Sequence, residues 1–187
     1  MEYVNPIKDV GVINEIKESL KQKAPRDFLL FVLGINTGIR ICDLLNLKVN
    51  DVWDGEKVKE FLFIAKNGRH KETTFYINNN VREALNDYIL ATNLKNNDFL
   101  FKSKNHDKPI SRQQAYRIIN KAAREVGVQG EIGTHTIRKT FGYHAYRKGI
   151  AISILRSIFG HSCPSETLRY IGIDKDHHQP IKVDVNL

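Results

Sequence analysis

Residues 28–33 are an unbroken run of apolar side chains, and this run constrains the fold more than any other part of the chain. Pro25 stands just before the run, where proline is favoured in the first turn of a helix. Gly38 follows it and offers a place for that helix to end. A helix that is apolar on every side must be surrounded by other elements. The sequence therefore predicts a central, buried helix from Pro25 to about Gly38.

Helical spacing of apolar residues dominates the rest of the chain, with one interruption. Residues 58–65 and 72–77 are typical of strands, and Asn67-Gly68 between them is a strong signal for a hairpin turn. The sequence thus predicts a mainly α-helical domain with a small antiparallel β-sheet, an α+β fold. Further helices are predicted at residues 8–21, 40–47, from 78, 111–127, 134–148, 151–159 and from 164.

Length and composition suit one compact domain. The chain has 187 residues, 41% of them hydrophobic, which is enough to bury a real core. We expect residues 1–173 to form that domain. Residues 174–187 are expected to form a C-terminal tail, in which residues 181–187 alternate apolar and polar as an edge strand does. Two cysteines make no disulfide framework, so a reducing, cytoplasmic setting is expected. No apolar run is long enough to span a membrane.

Six polar residues spread along the chain carry groups that suit phosphate chemistry. They are Arg40, Lys66, His135, Arg138, His161 and Tyr170. Arginine, lysine and histidine can hold a phosphodiester and neutralise the charge that develops on it. A tyrosine can take such a phosphate covalently. The formal net charge of +8 favours nucleic acid as the partner, although charge alone would not decide this.

The order of these residues and the sequence around each of them resemble those of the tyrosine recombinases, the phage-integrase family. Thr37-Gly38-x-Arg40 comes first, His135-x-x-Arg138 follows, and Gly160-His161 precedes Tyr170. The resemblance runs from about residue 6 to residue 173 and implies the fold of the family's catalytic domain. This chain has Ile137 and Phe159 where the family often has leucine, and Lys139 where it often has histidine. The family's usual N-terminal helical DNA-binding domain is not expected in this chain, which is either a fragment or a lone domain.

The resemblance also implies a role for each of the six residues. Tyr170 would attack a DNA phosphorus, form a 3′-phosphotyrosine and release a 5′-hydroxyl. Arg40, Arg138 and His161 would stabilise the pentavalent transition state. Lys66 would be the general acid at the hairpin tip, with Lys71 as the second choice. His135 would be the general base or a phosphate ligand. No metal and no cofactor is expected, because His161 and Cys163 alone make a poor metal site.

Other polar residues are expected to support this site. Asp43 lies three residues after Arg40, on the same helical face, where its carboxylate can orient the guanidinium. DNA contacts are expected from the hairpin tip, from the basic helix at residues 111–127 and from the residue after Arg138. These contacts are Arg69, Lys71, Arg112, Arg117, Lys121, Arg124 and Lys139.

The expected function is site-specific recombination or integration of DNA for a phage or mobile element. The partners would be double-stranded DNA and further copies of the chain, as a tetramer at paired sites, with accessory DNA-bending proteins possible and no membrane involved. Two alternatives stay open. One is a type IB topoisomerase, which uses a similar set of residues to relax supercoils. The other is a non-catalytic DNA-binding protein on the same fold. The tail is expected either to pack on a neighbouring subunit or to fold back on its own sheet.

Overall fold

The computed structural model describes residues 4–65 and 72–173 of the chain. Within these residues the fold is mainly helical with one small antiparallel sheet, as the sequence predicts. The helices are α1 Val10–Lys23, α2 Pro25–Thr37, α3 Ile41–Leu45, α4 Val49–Val52, α5 Asn79–Leu90, α6 Arg112–Glu125, α7 Thr134–Arg147, α8 Ile152–Phe159 and α9 Pro164–Tyr170. The strands are β1 Phe61–Ala65 and β2 Glu72–Tyr76. None of the described helices is both long and apolar enough to cross a membrane.

Helix α2 lies at the centre of the domain, packed against α1, α5 and α7. Its residues 29–33 are buried, which confirms the prediction from the apolar run. The helix ends at Gly38 with a φ of 66°, a left-handed conformation that side chains disfavour. A Cβ atom at Gly38 would also lie 2.3 Å from the ring of Phe141 on α7. Glycine is therefore required here twice, for the turn and for the close approach of α7.

The two predicted strands form an antiparallel pair, in a register that places Phe61 opposite Tyr76. Leu62 and Phe75 face the core, whereas Phe61 and Tyr76 are exposed. The rings of Phe61 and Tyr76 pack against each other, with 5.7 Å between their centroids. The predicted start at residue 58 is three residues too early. Val58 instead bridges to Trp53, so this residue is paired with the end of α4 rather than with β2. The turn, with Lys66, Arg69 and Lys71, lies outside the described residues.

Two short helices follow α2, where the sequence predicts one helix over residues 40–47. Helix α3 ends at Leu45, and α4 begins at Val49 after an irregular link. The backbone N–H of Lys48 donates to the Asp51 carboxylate at 2.7 Å, which caps α4. Val49 and Val52 are buried, and a helix this short has no periodic pattern long enough to predict it.

Helices α7, α8 and α9 follow one another in the chain and pack together near the end of α2. Leu155, Phe159 and Ile171 form a small core between them. Gly142 on α7 allows this packing, because a Cβ there would lie 2.5 Å from Ile171 and 2.6 Å from Phe159. The C-terminal tail from residue 174 lies outside the described residues, as does its predicted strand.

Candidate active site

Among the predicted site residues that the structure describes, Arg138 is the most buried, with 7% of its surface exposed. Its Nη1 donates a hydrogen bond to the carbonyl oxygen of Gly38, and its Nη2 donates to that of Ile158 at 3.1 Å. Its guanidinium also lies over the Phe159 ring, 4.8 Å from the ring centroid. Both acceptors stand at the C-terminal ends of helices, where carbonyl groups lack intrahelical partners and carry partial negative charge. The ends of α2 and α8 thus hold this guanidinium in place.

Arg40 reaches the same place from the start of α3. Its Nη2 donates to the carbonyl oxygen of Phe159 at 3.4 Å, one residue beyond the acceptor of Arg138. A salt bridge between Asp43 and Arg40 is not among those formed within residues 4–65 and 72–173, so the orienting role of Asp43 stays a prediction. Burial lowers the pKa of Arg138 and Arg40 lowers it further, while Tyr170 and Asp43 act in the opposite direction. The two guanidiniums therefore form a compact positive centre.

His161 and Tyr170 lie side by side at this centre. Gly160 ends α8 in a left-handed conformation with a φ of 75°, which turns the chain and presents His161. The His161 ring lies 5.0 Å from the Tyr170 ring, and its Nδ1 lies 3.0 Å from the hydroxyl of the buried Thr167. Phe159 packs against Tyr170 with 5.2 Å between ring centroids. Helix α9 thus carries both the tyrosine and the hydroxyl that orients the histidine.

The pKa values at this site follow from burial and from the two arginines. Burial raises the pKa of the Tyr170 phenol, whereas Arg138 and Arg40 lower it. Burial lowers the pKa of His161, Glu166 acts in the opposite direction, and Arg138 and Arg40 lower it further. Near neutral pH, the unliganded site therefore holds a protonated phenol and a neutral imidazole.

An open cleft of about 790 Å³ lies in front of Tyr170. His135 and Lys139 of α7 line it together with His161, and Arg112 lines it from the first turn of α6. His135 is exposed, and its pKa is lowered by burial of its inner side and then by nearby cations, of which Arg112 is the strongest. The other predicted contacts on α6 are exposed but do not line this cleft. They are Arg117, Lys121 and Arg124.

Lys139 occupies a place that the sequence pattern alone does not indicate. Its Nζ donates to the carbonyl oxygen of Val4 at 2.8 Å and lies 5.3 Å from the centroid of the Tyr170 ring. The segment around Val4 is itself fixed on α7. The backbone N–H of Ile7 donates to the Thr140 hydroxyl at 2.9 Å, and the Ile7 carbonyl oxygen lies 2.9 Å from His144 Nε2.

Five of the six predicted residues thus come together, from α7, from α9 and from the residues next to α3 and α8. The sixth, Lys66, lies outside the described residues. Three features of the site were missed by sequence reasoning: the carbonyl acceptors at residues 38, 158 and 159, the role of Phe159, and the N-terminal segment. Backbone acceptors leave no signal in a sequence, since every residue carries one. In the described ranges, no group of three or more His, Cys, Asp or Glu side chains could hold a metal ion.

The chain matches known proteins over most of its length. The model of the phage integrase family matches residues 8–177. The chain is 44% identical over 176 residues to a probable integrase/recombinase, YoeC, of Bacillus subtilis, covering 94% of this chain and 93% of that protein. It is 29% identical to a tyrosine recombinase of Pseudothermotoga lettingae, covering 89% of this chain and 57% of that protein.

Solved structures show the same fold. The crystal structure of XerA recombinase matches with a TM-score of 0.74 and 22% identity, over 93% of this chain and 61% of that one. The XerH site-specific recombinase bound to palindromic difH substrate, a post-cleavage complex, matches with a TM-score of 0.73 and 19% identity, over 94% of this chain and 51% of that one. The chain thus spans nearly all of YoeC but only half to three fifths of these other proteins.

Proposed function

Because the chain belongs to the phage integrase family, we propose that it cleaves and rejoins DNA through Tyr170 in site-specific recombination. The observation that carries this proposal is that Tyr170 and His161 lie side by side in the lining of an open cleft, with the buried Arg138 close enough to Tyr170 to act on the pKa of its phenol. The phenol oxygen would attack the phosphorus of a DNA phosphodiester in line. A 3′-phosphotyrosine bond forms as the bond to the 5′-oxygen breaks, so the phosphodiester energy is kept and no nucleotide cofactor is needed.

The two arginines would bind the phosphate oxygens that gain charge during attack. Each guanidinium has more than two N–H groups, and the carbonyl acceptors of residues 38, 158 and 159 use only some of them. We propose that a bound phosphate accepts hydrogen bonds from N–H groups that these carbonyl oxygens leave unused. Since the guanidiniums are already fixed, little reorganisation is needed when the transition state forms.

His161 would add a neutral hydrogen-bond donor. The Thr167 hydroxyl lies 3.0 Å from His161 Nδ1 but 3.5 Å from the carbonyl oxygen of Cys163, so donation to the ring nitrogen is the better bond. This bond favours the tautomer with a proton on Nε2, which can then donate to a phosphate oxygen. We assign His135, exposed in the cleft, as the general base or a phosphate ligand, and Lys66 as the general acid that protonates the 5′-oxygen.

A nicked suicide DNA substrate tests the proposal. The short strand beyond the cleavage point is lost after attack, so the covalent protein–DNA product accumulates and is seen on a denaturing gel. The wild-type protein should form it, and Tyr170→Phe, which removes one oxygen, should not. DNA affinity should stay nearly the same in the variant. Tyr143→Phe is the matched control, because it removes the same atom from α7, outside the cleft lining. Adduct formation by Tyr170→Phe would refute the assignment.

Three further experiments separate this reaction from metal-dependent cleavage, from a topoisomerase and from DNA binding without catalysis. The yield of covalent product should survive excess EDTA, because cationic side chains supply the positive charge; a strict requirement for a divalent ion would contradict the proposed chemistry. Relaxation of supercoiled DNA without paired sites would favour the topoisomerase alternative. Binding without any covalent product would favour a non-catalytic DNA-binding protein.

Recombination needs several protomers on two duplexes, and we propose that this chain assembles on DNA, as a tetramer at paired sites. The palindromic substrate of the XerH complex supports symmetric binding of this kind.

We further propose that residues 181–187 act between subunits. Their deletion should weaken cooperative assembly on paired sites more than binding to one site. An equal loss in both assays would reject the role of the tail between subunits.

A further inference from the structure

We propose that Lys139 is a positioning residue for Tyr170. Its ammonium group, anchored by the backbone of the N-terminal segment (residues 4–7), holds the phenol ring in place for attack. This inference rests on the proposed role of Tyr170 as the nucleophile, and it assigns a task to the residue at which the chain departs from the pattern it resembles.

The first observation is the contact itself. Lys139 Nζ lies 5.3 Å from the centroid of the Tyr170 ring, inside the range of about 6 Å over which a cation is attracted to an aromatic face. Helix α7 explains the placement. Arg138 points inward to the carbonyl groups of α2 and α8, and the next residue along the helix lines the cleft beside Tyr170.

The second observation is the anchor of the ammonium group. Lys139 Nζ donates to the Val4 carbonyl oxygen at 2.8 Å, and the segment that carries this oxygen is bonded to Thr140 and His144 of α7 through Ile7. Because the anchor is fixed, much of the conformational freedom of the lysine is already lost before DNA binds.

The same segment also meets the end of α9. A Cβ atom at Gly172 would lie 3.2 Å from the ring of Pro6, so the backbone just after Tyr170 packs closely on the N-terminal segment. The segment therefore touches both the helix that carries Lys139 and the turn that follows Tyr170. Lys139 connects this segment to the nucleophile, because its ammonium group bonds to Val4 and lies beside the Tyr170 ring.

The surroundings of Lys139 differ from those of a lysine that only contacts DNA phosphate. A lysine that serves only to bind DNA extends its ammonium into solvent, whereas Lys139 is half-buried and bonded to a carbonyl in the free protein. Burial also lowers its pKa, which a solvated lysine would not show. The two roles differ in what they predict, since a positioning residue affects the rate of attack at saturating DNA and a phosphate contact affects affinity.

Single-turnover cleavage of the suicide substrate at saturating DNA tests this inference with Lys139→Met and Lys139→Arg. The methionine keeps the length of the side chain but removes the charge. Its rate of adduct formation at neutral pH should fall about tenfold, the size expected for loss of one partly desolvated cation–π contact. Arginine should restore most of the rate.

Lys8→Met is the matched control. Lys8 Nζ also lies 5.3 Å from a tyrosine ring, that of Tyr143, but away from the cleft. Both methionine variants lose one positive charge, so a nonspecific effect of charge on DNA affinity appears in both. The inference is overturned if Lys139→Met cleaves at the wild-type rate, or if its defect disappears at saturating DNA.

A second readout needs no DNA. Fluorotyrosine incorporated into the protein gives one fluorine NMR resonance per tyrosine, and the Tyr170 signal is assigned by its loss in Tyr170→Phe. Lys139→Met should shift this signal and Lys139→Arg should largely restore it, whereas Lys8→Met should leave it in place. An unmoved Tyr170 signal would overturn the contact. If the wild-type protein forms no adduct at all, the proposed function fails, and the resonance still decides whether Lys139 holds Tyr170.

Discussion

Arg138 donates a hydrogen bond to the carbonyl oxygen of Gly38, a hundred positions earlier in the chain. Gly38 ends the central helix, so this bond ties the buried guanidinium to the helix around which the core is packed. A second bond, to Ile158, ties the same guanidinium to α8. The position of the proposed phosphate-binding group is thus fixed by two helix ends rather than by other charged side chains.

Arg138→Lys should lower the rate of adduct formation by about 10²- to 10³-fold, the usual cost of removing a donor that stabilises developing negative charge. Lysine keeps the charge but lacks the planar fork, so it cannot bond two carbonyl groups and a phosphate in the same geometry. Single-turnover cleavage measures the effect. Arg147→Lys, an exposed change on the same helix, should react at the wild-type rate. Equal rates for Arg138→Lys and wild type would contradict the proposed role of the guanidinium.

Gly38→Ala should destabilise the domain by about 3 kcal/mol, from the left-handed backbone and from the clash with Phe141. Gly127→Ala is the control, since Gly127 also has a positive φ but nothing lies near its Cβ position. The free energy of unfolding of Gly127→Ala should fall by only about 1 kcal/mol. Urea denaturation of both variants gives the two free energies of unfolding. A similar loss in both would show that the contact with α7 contributes nothing.

Stability should fall as the pH decreases from about 7.5 to 5, because burial lowers the pKa of His135 and His161 in the folded state. The unfolded chain, with an ordinary histidine pKa of about 6.5, then binds more protons than the folded one. The contribution of these two histidines to the free energy of unfolding is complete above the pKa of the unfolded chain. It is lost as the pH falls through the lower pKa values of the folded protein. Urea denaturation across this range measures the slope.

The matched variants separate these two histidines from the rest. The double variant His135→Gln/His161→Gln should flatten the dependence of the free energy of unfolding on pH. His106→Gln, at an exposed loop residue, should keep it. A steep slope that persists in the double variant would place its origin elsewhere in the chain.

DNA affinity should fall steeply with salt, because phosphate contacts release counterions from the duplex. Arg112 lines the cleft, whereas Lys121 on the same helix does not. Arg112→Ala should therefore reduce the slope of log affinity against log salt by about 1, and Lys121→Ala tests whether the predicted contact outside the cleft lining also reaches a phosphate. Fluorescence anisotropy with a labelled duplex gives both slopes. A wild-type slope for Arg112→Ala would remove the cleft from the DNA interface.

The hairpin tip makes a separate prediction. Arg69→Ala/Lys71→Ala should lower DNA affinity and reduce the salt slope by about 2, if both side chains contact phosphates. The same anisotropy titration applies, with Lys57→Ala/Lys59→Ala, outside the cleft lining, as the pair matched in charge. An unchanged slope in the first pair would exclude the tip from the interface.

The sequence predicts the large features of this fold because they depend on long patterns. The apolar run of α2, the two strand segments of the hairpin, and the glycines at 38 and 160 each leave a local signal that the structure confirms. Helix α4 and the bridge between Trp53 and Val58 leave no such signal, since they form from a few residues held by neighbours distant in the sequence.

The candidate site divides in the same way. Charged and aromatic side chains such as Arg138 and Tyr170 are visible in the sequence, and their convergence follows from the family resemblance. The contact of Lys139 with Val4 joins residues far apart in the chain and uses a backbone oxygen, so no spacing rule could reveal it. The face of α6 that borders the cleft also depends on how that helix packs, and only Arg112 of its four predicted contacts lies there.

The carbonyl acceptors of Arg40 and Arg138 at residues 158 and 159 make the site tolerant of mutation in an unusual place. An acceptor that belongs to the backbone cannot be deleted by changing a side chain, so α8 can drift in sequence while it still presents the same two oxygens. What α8 cannot do is lengthen or shorten by one residue, because that would rotate the two oxygens away from the guanidiniums. Insertions and deletions, rather than substitutions, are therefore the changes that this helix should not survive.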